Sequence, residues 1–559
     1  MTTDLPTAQT VPQLLATSGA RYAALQAVVD GAVTLNYREL GLEVDRAAAS
    51  LLALGVGKGD RVGIWAPNGA GWIIVSLASM SIGAIVVPLN TRYRGPEAAD
   101  LLERSAARVL FLEQDFLGYD YIGALLDAGA PPTVETIVDL GSPTVAARVG
   151  AAVQFLGWKP FLGAGEVIGT DEVAAAAAAV QPDDPSDIIF TSGTTGRAKG
   201  VVLCHGPVLR LYHDYGAIWG LRPGDRYLIT LPFFHGGGNK AGMIASIIHG
   251  VTMIPAATFD TVATMQVVER ERITVMNAPP TVFASILDHP KRSTFTLSSL
   301  RVAATGATVV PVAMVLRALT ELPFENFITA YGLTESSGTV SMCRAGDPPD
   351  VVANTNGCAL PDIEVQIVAP DGSPVADGES GEVLVRGYNI TPGYWDDGKS
   401  TAAAIDADGW LHTGDIGTLD TAGHLKITDR LKELFIVGGF NVSPAEVEQA
   451  LAHHPQIAEV AVIGVADERL GEVGKAFVIP RPGEAIEAES MIAWCRQRMA
   501  NFKVPRYIEV SETLPRNASG KVLRRDLRDR EAAAQASQPP TRLSVMNLET
   551  MDLYAVPDD

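Results

Sequence analysis

Short apolar, β-branched runs recur along the chain, among them "RVGIWAP", "VLFLE", "DIIFTSG", "YLITLP", "VTMIP" and "ITVMNAPP", separated by stretches of helical spacing such as "TVATMQVVERER". Brief apolar runs alternating with amphipathic helices predict an α/β architecture with largely parallel sheets. Residues 142–187 break this rhythm with Gly and Pro and then with "DEVAAAAAAVQPDDPSD", a helix or a linker. From about 357 to 428 the texture changes to "IEVQIVAPDGSPV", "GEVLVRG" and "GHLKITD", short strands parted by turn residues, which predict a small β-rich subdomain. After "TDRLKE", the pieces "PAEVEQALAHHP", "IAEVAVIGV" and "KAFVIP" predict a compact mixed unit, and residues 531–559, rich in Ala, Gln and Pro, read as a loose tail.

One segment imitates a membrane span. Residues 72–89, "WIIVSLASMSIGAIVVPL", carry no charge over 18 positions. Their serines, their glycine and the following "NTRYR" suit a buried helix turning into a buried strand.

With 559 residues, 47% of them hydrophobic, the chain predicts two or more domains with ample cores. A formal charge of -21 opposes extended contact with nucleic acid or an anionic membrane surface, so an anionic ligand needs a local basic site. Cys204, Cys343, Cys358 and Cys495 have neither paired nor metal-ligand spacing, which fits a reducing compartment. "MTTDLPTAQTVPQLLATSG" has no basic patch followed by an apolar stretch, and a cytoplasmic location is expected.

The chemistry starts at "TSGTTGRAKG", residues 191–200. Glycine lets backbone N–H groups turn inward, Ser and Thr add donors, and Lys199 adds a point charge, so the segment suits a polyphosphate better than a plain surface loop does. It is not a Walker A loop, which would need Gly at 198 and Ser or Thr at 200, where Ala198 and Gly200 stand. "GGGNKA", residues 236–241, imitates a dinucleotide fingerprint with Asp260 nineteen residues further on, but "PFFH" intervenes between the strand and the glycines. "TAYGLTES" offers a ring, a hydroxyl and a carboxylate suited to a hard cation. "GWLHTGD" sets Asp415 at a turn where a carboxylate can accept both hydroxyls of a ribose, and "LPRNASGKVLRRDLRDR" sets Lys521 in a flexible turn before Arg524, Arg525, Arg528 and Arg530.

Taken together, "TSGTTGRAKGVVL", "LPFFHGGG", "TGAT", "YGLTES", "GWLHTGD", "TDRLKELFIVGGFNVSPAEVE" and "LPRNASGK" resemble the adenylate-forming superfamily, over about residues 12–530. The resemblance implies a large N-terminal domain (1–431) of two doubly wound α/β subdomains plus the β-rich one, and a small mobile α+β domain (432–530) hinged at Lys432. It implies ATP, magnesium and CoA. Thr191, Ser192, Gly193, Thr194, Thr195, Gly196 and Lys199 would hold the β- and γ-phosphates, while Gly306, Ala307, Thr308, Tyr331 and Gly332 would surround adenine. Thr334 would contact phosphate, Glu335 the magnesium ion, and Asp415 and Arg430 the ribose. Lys521 would bridge the carboxylate and the α-phosphate during adenylation, and Gly438 and Gly439 would line the pantetheine channel after rotation. Relatives usually have Pro where this chain has Ala198, which is expected to loosen the loop.

The chemistry needs such residues. A carboxylate repels ATP and has a poor leaving group, so cations must neutralise the approach; once the acyl-adenylate forms, a thiolate can displace AMP. Where relatives gate the acyl pocket stands His235, followed by Gly236, Gly237 and Gly238, which remove volume beside it. This, together with "NKAGM" and "FIVGGFNVSPAEVE", looks most like actinobacterial CoA ligases for polycyclic, steroid-type acids, implying a bulky alicyclic or terpenoid acid. CoA is the expected acceptor, its phosphates meeting the arginines of 524–530 unless these form a solvated helix face. Loading of a separate carrier protein, or catalysis of only one half-reaction, are the alternatives.

Overall fold

The computed structural model describes residues 8–141, 153–191, 197–306, 312–430, 434–515, 522 and 524–536. Each apolar run singled out above is a strand. A seven-stranded sheet carries, in spatial order, Gln154–Gly157, Thr136–Asp139, Ala107–Leu112, Arg61–Trp65, Ile85–Pro88, Pro185–Thr191 and Lys199–Cys204. All neighbours are parallel except the last pair, where Thr191 faces Lys199. The 191–200 segment therefore joins two antiparallel strands, and the next helix, His205–Trp219, begins only after the second.

A nine-stranded sheet has a parallel centre running from Asn326–Tyr331 through Val302–Thr305, Val275–Asn277, Arg226–Ile229 and Thr252–Pro255 to Gln26–Asp30, with antiparallel strands at both edges. Strands buried on both faces explain why the sequence runs are continuously apolar rather than alternating. Ile363–Val368, Gly381–Gly387, Leu411–Leu419 and Leu425–Arg430 form the expected β-rich subdomain, an antiparallel four-stranded sheet.

The membrane look-alike is the helix Ala70–Ser81 followed by the strand Ile85–Pro88, both buried throughout or nearly so. Gly83, at φ +74°, makes the turn between them. Among the described residues no helix is long and apolar enough to cross a membrane. The alanine-rich run resolves as the helix Thr170–Ala178, started by Glu172 accepting from the Gly169 N–H at 3.0 Å. Cys204, Cys343 and Cys495 are buried, Cys358 is partly so, and none is paired.

The small C-terminal domain builds a separate core from residues between Phe435 and Leu527, around the long hairpin Ile457–Asp467 and Gly471–Pro480. Its last helix, Arg524–Ala536, runs past position 531, where the tail was expected to begin; Glu531 pairs with Lys475 at 2.8 Å and keeps that turn docked. The expected domain boundary at 431/432 lies outside the described residues.

Candidate active site

Two parallel strands of the nine-stranded sheet end side by side, one in Gly306 and the other in Tyr331 and Gly332. A Cβ on Gly306 would lie 2.8 Å from the Ala330 carbonyl oxygen, and one on Gly332 2.3 Å from that of Gly338. Only glycine fits at these two positions, which stand at the carboxyl ends of the strands, where α/β sheets hold their ligands. The Tyr331 hydroxyl donates to Asp415 Oδ2 at 2.7 Å, tying this sheet to the β-rich subdomain. Asp415 is 4% exposed, and its N–H donates to Thr413 Oγ1 at 3.1 Å, so the carboxylate sits on a fixed strand. Arg430 stands opposite it in the ladder; its side chain lies outside the description.

Thr334 and Glu335 form a single 3-10 turn, Thr334–Ser336, a few residues on. Glu335 is fixed at both ends: its carbonyl accepts the Thr391 N–H at 2.8 Å, and its Oε1 accepts the Tyr394 hydroxyl at 2.9 Å. Burial, then the Glu335 charge, pushes the Tyr394 phenol well above its usual pKa, which keeps it a donor. The ring of Tyr394 in turn carries the Lys199 ammonium 4.9 Å from its centroid.

That chain of contacts ends on the antiparallel pair flanking the 191–200 segment. Thr191 and Lys199 close it, and residues 391–395 run along its outer strand through Val202 N–H to Gly393 at 3.1 Å and Trp395 N–H to Gly200 at 2.7 Å. Arg104 donates to the Ala198 carbonyl at 2.6 Å, and Arg197 pairs with Asp100 at 2.9 Å. Residues 197 and 198, at the end of the segment that Ala198 was expected to loosen, are thus held by the helix Gly95–Ser105.

His235 is exposed, and its Nδ1 accepts the Gly237 N–H at 3.1 Å. Of the three glycines after it, only Gly236 faces open space; a Cβ on Gly237 would lie 2.9 Å from Leu231 Cδ1, and one on Gly238 2.3 Å from two carbonyl oxygens. The decoy Asp260 caps the helix Thr261–Glu271 through the Ala263 N–H at 2.7 Å, the work of a structural residue. Gly438 and Gly439, at φ +54° and +87°, form the two-residue turn between the strands Phe435–Val437 and Phe440–Val442, with Gly439 facing Pro279 of the large domain.

Ser192, Gly193, Thr194, Thr195, Gly196, Ala307, Thr308, Lys432 and Lys521 lie outside the described residues. Two side chains beside the site went unnoticed in the sequence. Tyr394 in "TPGYW" is 59 positions from Glu335, and Arg104 lies in the last turn of the helix Gly95–Ser105; neither has a local pattern that announces its contact.

Adjoining strand ends at Gly306 and Tyr331, the carboxylates of Asp415 and Glu335 and the strand pair bearing Lys199 are thus brought together in the arrangement expected of an adenylate-forming enzyme. The chain belongs to the AMP-binding enzymes: that family matches residues 15–395, and the AMP-binding enzyme C-terminal domain matches residues 446–521. It is an acyl-CoA ligase of this family, acting through an adenylate. It is 50% identical over 493 residues, 88% of this chain and 93% of the relative, to the 3-[(3aS,4S,7aS)-7a-methyl-1,5-dioxo-octahydro-1H-inden-4-yl]propanoyl:CoA ligase of Mycobacterium tuberculosis. With the Rhodococcus jostii ligase of the same name it shares 46% identity over 527 residues, 94% of this chain and 99% of the relative. The solved Mycobacterium tuberculosis fatty acyl CoA synthetase superposes with a TM-score of 0.68 at 30% identity, covering 94% of this chain and 99% of that one.

Proposed function

We propose that the chain activates a bulky alicyclic propanoic acid, of the bicyclic dioxo type named for its two relatives, and transfers it to CoA in the cytoplasm. The observation that carries the reading is the joining of three elements at one place: the Tyr331–Asp415 contact, the Glu335–Tyr394 contact and the Lys199 hairpin. In the first half-reaction the substrate carboxylate attacks the α-phosphorus of ATP and pyrophosphate leaves; in the second the CoA thiolate attacks the acyl carbon and AMP leaves.

Each named residue has a task in that sequence. Asp415, with Arg430 beside it in the ladder, orients the ribose, and Tyr331 fixes the carboxylate that does so. Lys199 and the 191–196 donors hold the β- and γ-phosphates until they depart. Lys521 neutralises the two anions as they meet, and Gly438 and Gly439 line the path of the pantetheine once the small domain has turned about Lys432.

Magnesium fits Glu335, a hard oxygen donor held in place by Tyr394. Among the described residues no group of three or more His, Cys, Asp or Glu could hold a metal ion. Bound at Glu335, magnesium would supply positive charge to the polyphosphate.

CoA as the acceptor is supported by a cavity of about 210 Å³ at the junction of the domains, lined by Arg92, Arg94, Tyr119 and Arg496, which suits a phosphorylated end. The arginines first considered for that task are partly engaged elsewhere: Arg524 with Glu448 at 2.5 Å and Arg530 with Glu509 at 2.7 Å. The test is a panel of carboxylic acids with ATP and CoA in which AMP, pyrophosphate and thioester are read separately. Turnover of bicyclic propanoic acids to thioester is expected; turnover of medium-chain fatty acids alone overturns the substrate. Pyrophosphate without thioester points to carrier loading, and thioester only from supplied adenylate to a single half-reaction.

A further inference from the structure

A buried ammonium at the join of the two domains has no task in the chemistry above. Lys503 ends the short turn Asn501–Lys503 of the small domain, and its side chain is 5% exposed. Nζ donates to Glu446 Oε1, in its own domain, at 2.6 Å and to Glu97 Oε1, in the large domain, at 2.8 Å. It also lies 4.6 Å from the centroid of the Tyr93 ring, again in the large domain. Burial by itself would lower the lysine pKa, but Glu97, Tyr93 and Glu446 outweigh it and hold the group charged above its ordinary value.

The large-domain partner is set before the lysine arrives. Glu97 Oε2 accepts the Arg94 N–H at 2.9 Å, closing the first turn of the helix Gly95–Ser105 and leaving Oε1 for Lys503. The neighbouring ring, Phe502, stacks on Phe440 at 4.5 Å and 20°. Phe440 faces Phe234 at 6.3 Å and 23°, one position before His235. The same docking therefore seats the Gly438–Gly439 turn toward Pro279 and places Lys503 between carboxylates from both domains.

We propose that Lys503 is a positioning residue for the thioester-forming step: a charge latch that holds the small domain in this docking and lets go when the domain turns to bring Lys521 to the nucleotide. The proposal rests on the two-arrangement reading given above. A contact made in only one of two arrangements shifts their populations without touching the reacting atoms. Removing the ammonium does more than delete an attraction, because it strands two carboxylates against each other.

The test measures the half-reactions separately in the full chain. Lys503→Met is expected to slow thioester formation from supplied acyl-adenylate by about tenfold or more, as for loss of one partner from a buried ion pair. Acid-dependent exchange of pyrophosphate into ATP is expected to hold or rise. Adding Glu97→Gln, which removes one stranded carboxylate, is expected to recover part of the second step, as a mere folding defect would not. Equal losses in both half-reactions, no loss in the second, or no recovery in the double variant overturns the latch. Lys521→Ala separates the underlying reading: it is expected to lose exchange and keep thioester formation from adenylate. If it loses both alike, the two-arrangement reading fails and takes the latch with it.

Discussion

The Tyr394 hydroxyl donates a hydrogen bond to Glu335 at 2.9 Å, while the face of the same ring carries Lys199. One side chain thereby sets the spacing between the acidic and the basic edge of the site. Tyr394→Phe keeps the ring under Lys199 and removes only the donor. A hydrogen bond to a charged group contributes about 1.5–3 kcal/mol; where that fixing of Glu335 is needed in the transition state, the adenylation rate is expected to fall roughly ten- to a hundredfold, with the melting temperature lowered by no more than a few degrees. Pyrophosphate exchange measured beside thermal unfolding checks it; an unaltered rate removes Tyr394 from the site.

The anchoring of residues 197–200 bears on Ala198. With the Ala198 carbonyl held by Arg104 at 2.6 Å, stiffening by proline has little left to add, and Ala198→Pro is expected to lower the KM for ATP by no more than about twofold. In an Arg104→Ala background, whose KM is expected to rise several-fold, the same substitution recovers more. Steady-state kinetics on the four proteins decide it; a larger proline effect with Arg104 intact contradicts the anchor.

Gly236 is the one open position beside His235. A large side chain there, as in Gly236→Phe, is expected to raise the KM for a bicyclic propanoic acid about tenfold, the scale of lost fit in an apolar pocket, and to spare a straight-chain acid. Equal effects on both acids would place the acyl pocket elsewhere.

Asp187 and Lys240 form an ion pair at 2.5 Å with side chains 0% and 1% exposed, and Asn239, just after the 235–238 segment, also donates to Asp187 at 3.2 Å. Lys240→Met leaves a buried carboxylate uncompensated and is expected to cost about 3–5 kcal/mol of stability. The double variant Asp187→Leu, Lys240→Met is expected to regain much of it. Urea unfolding of the three proteins is the measurement, and a silent single variant refutes the pairing.

His205 is 1% exposed, and burial, opposed in part by Asp187, pushes its pKa down to about 4. The unfolded chain, with a pKa near about 6.5, binds the proton first, so folding stability is intact above that pH and declines as pH falls toward 4. One such group removes on the order of 3 kcal/mol across the window. His249, likewise lowered to about 4, adds to it. His205→Phe is expected to flatten the fall by about one proton's slope; stability curves at several pH values parallel to wild type would count against it.

The motifs that carry the family resemblance were legible because each is local: a glycine-rich segment, a Tyr-Gly-Leu-Thr-Glu run and an aspartate at a turn are each read from adjacent residues. What joins them was not. The second strand of the hairpin, Lys199–Cys204, follows the loop with no turn residue after Gly200, so the sequence shows only the strand before it. The strand Gln26–Asp30 enters the large sheet by pairing with Thr252–Pro255, more than two hundred positions away, and no window of sequence contains that choice. The same holds for Lys503, which reads as an ordinary charged residue until the fold brings Glu97 to it.

The antiparallel pair at Thr191 and Lys199 has a further consequence for how this ligase treats its nucleotide. In enzymes whose phosphate loop opens straight into a helix, the positive end of the helix macrodipole supplies part of the binding. Here the amino end of His205–Trp219 is displaced from Lys199 by a six-residue strand, about 20 Å of chain, well beyond the first-turn reach of that effect. On the proposed reading, counter-charge for the polyphosphate comes from Lys199, from the backbone N–H donors of the loop and from the accompanying cation rather than from this helix. Its affinity is then expected to depend on ionic strength and metal supply.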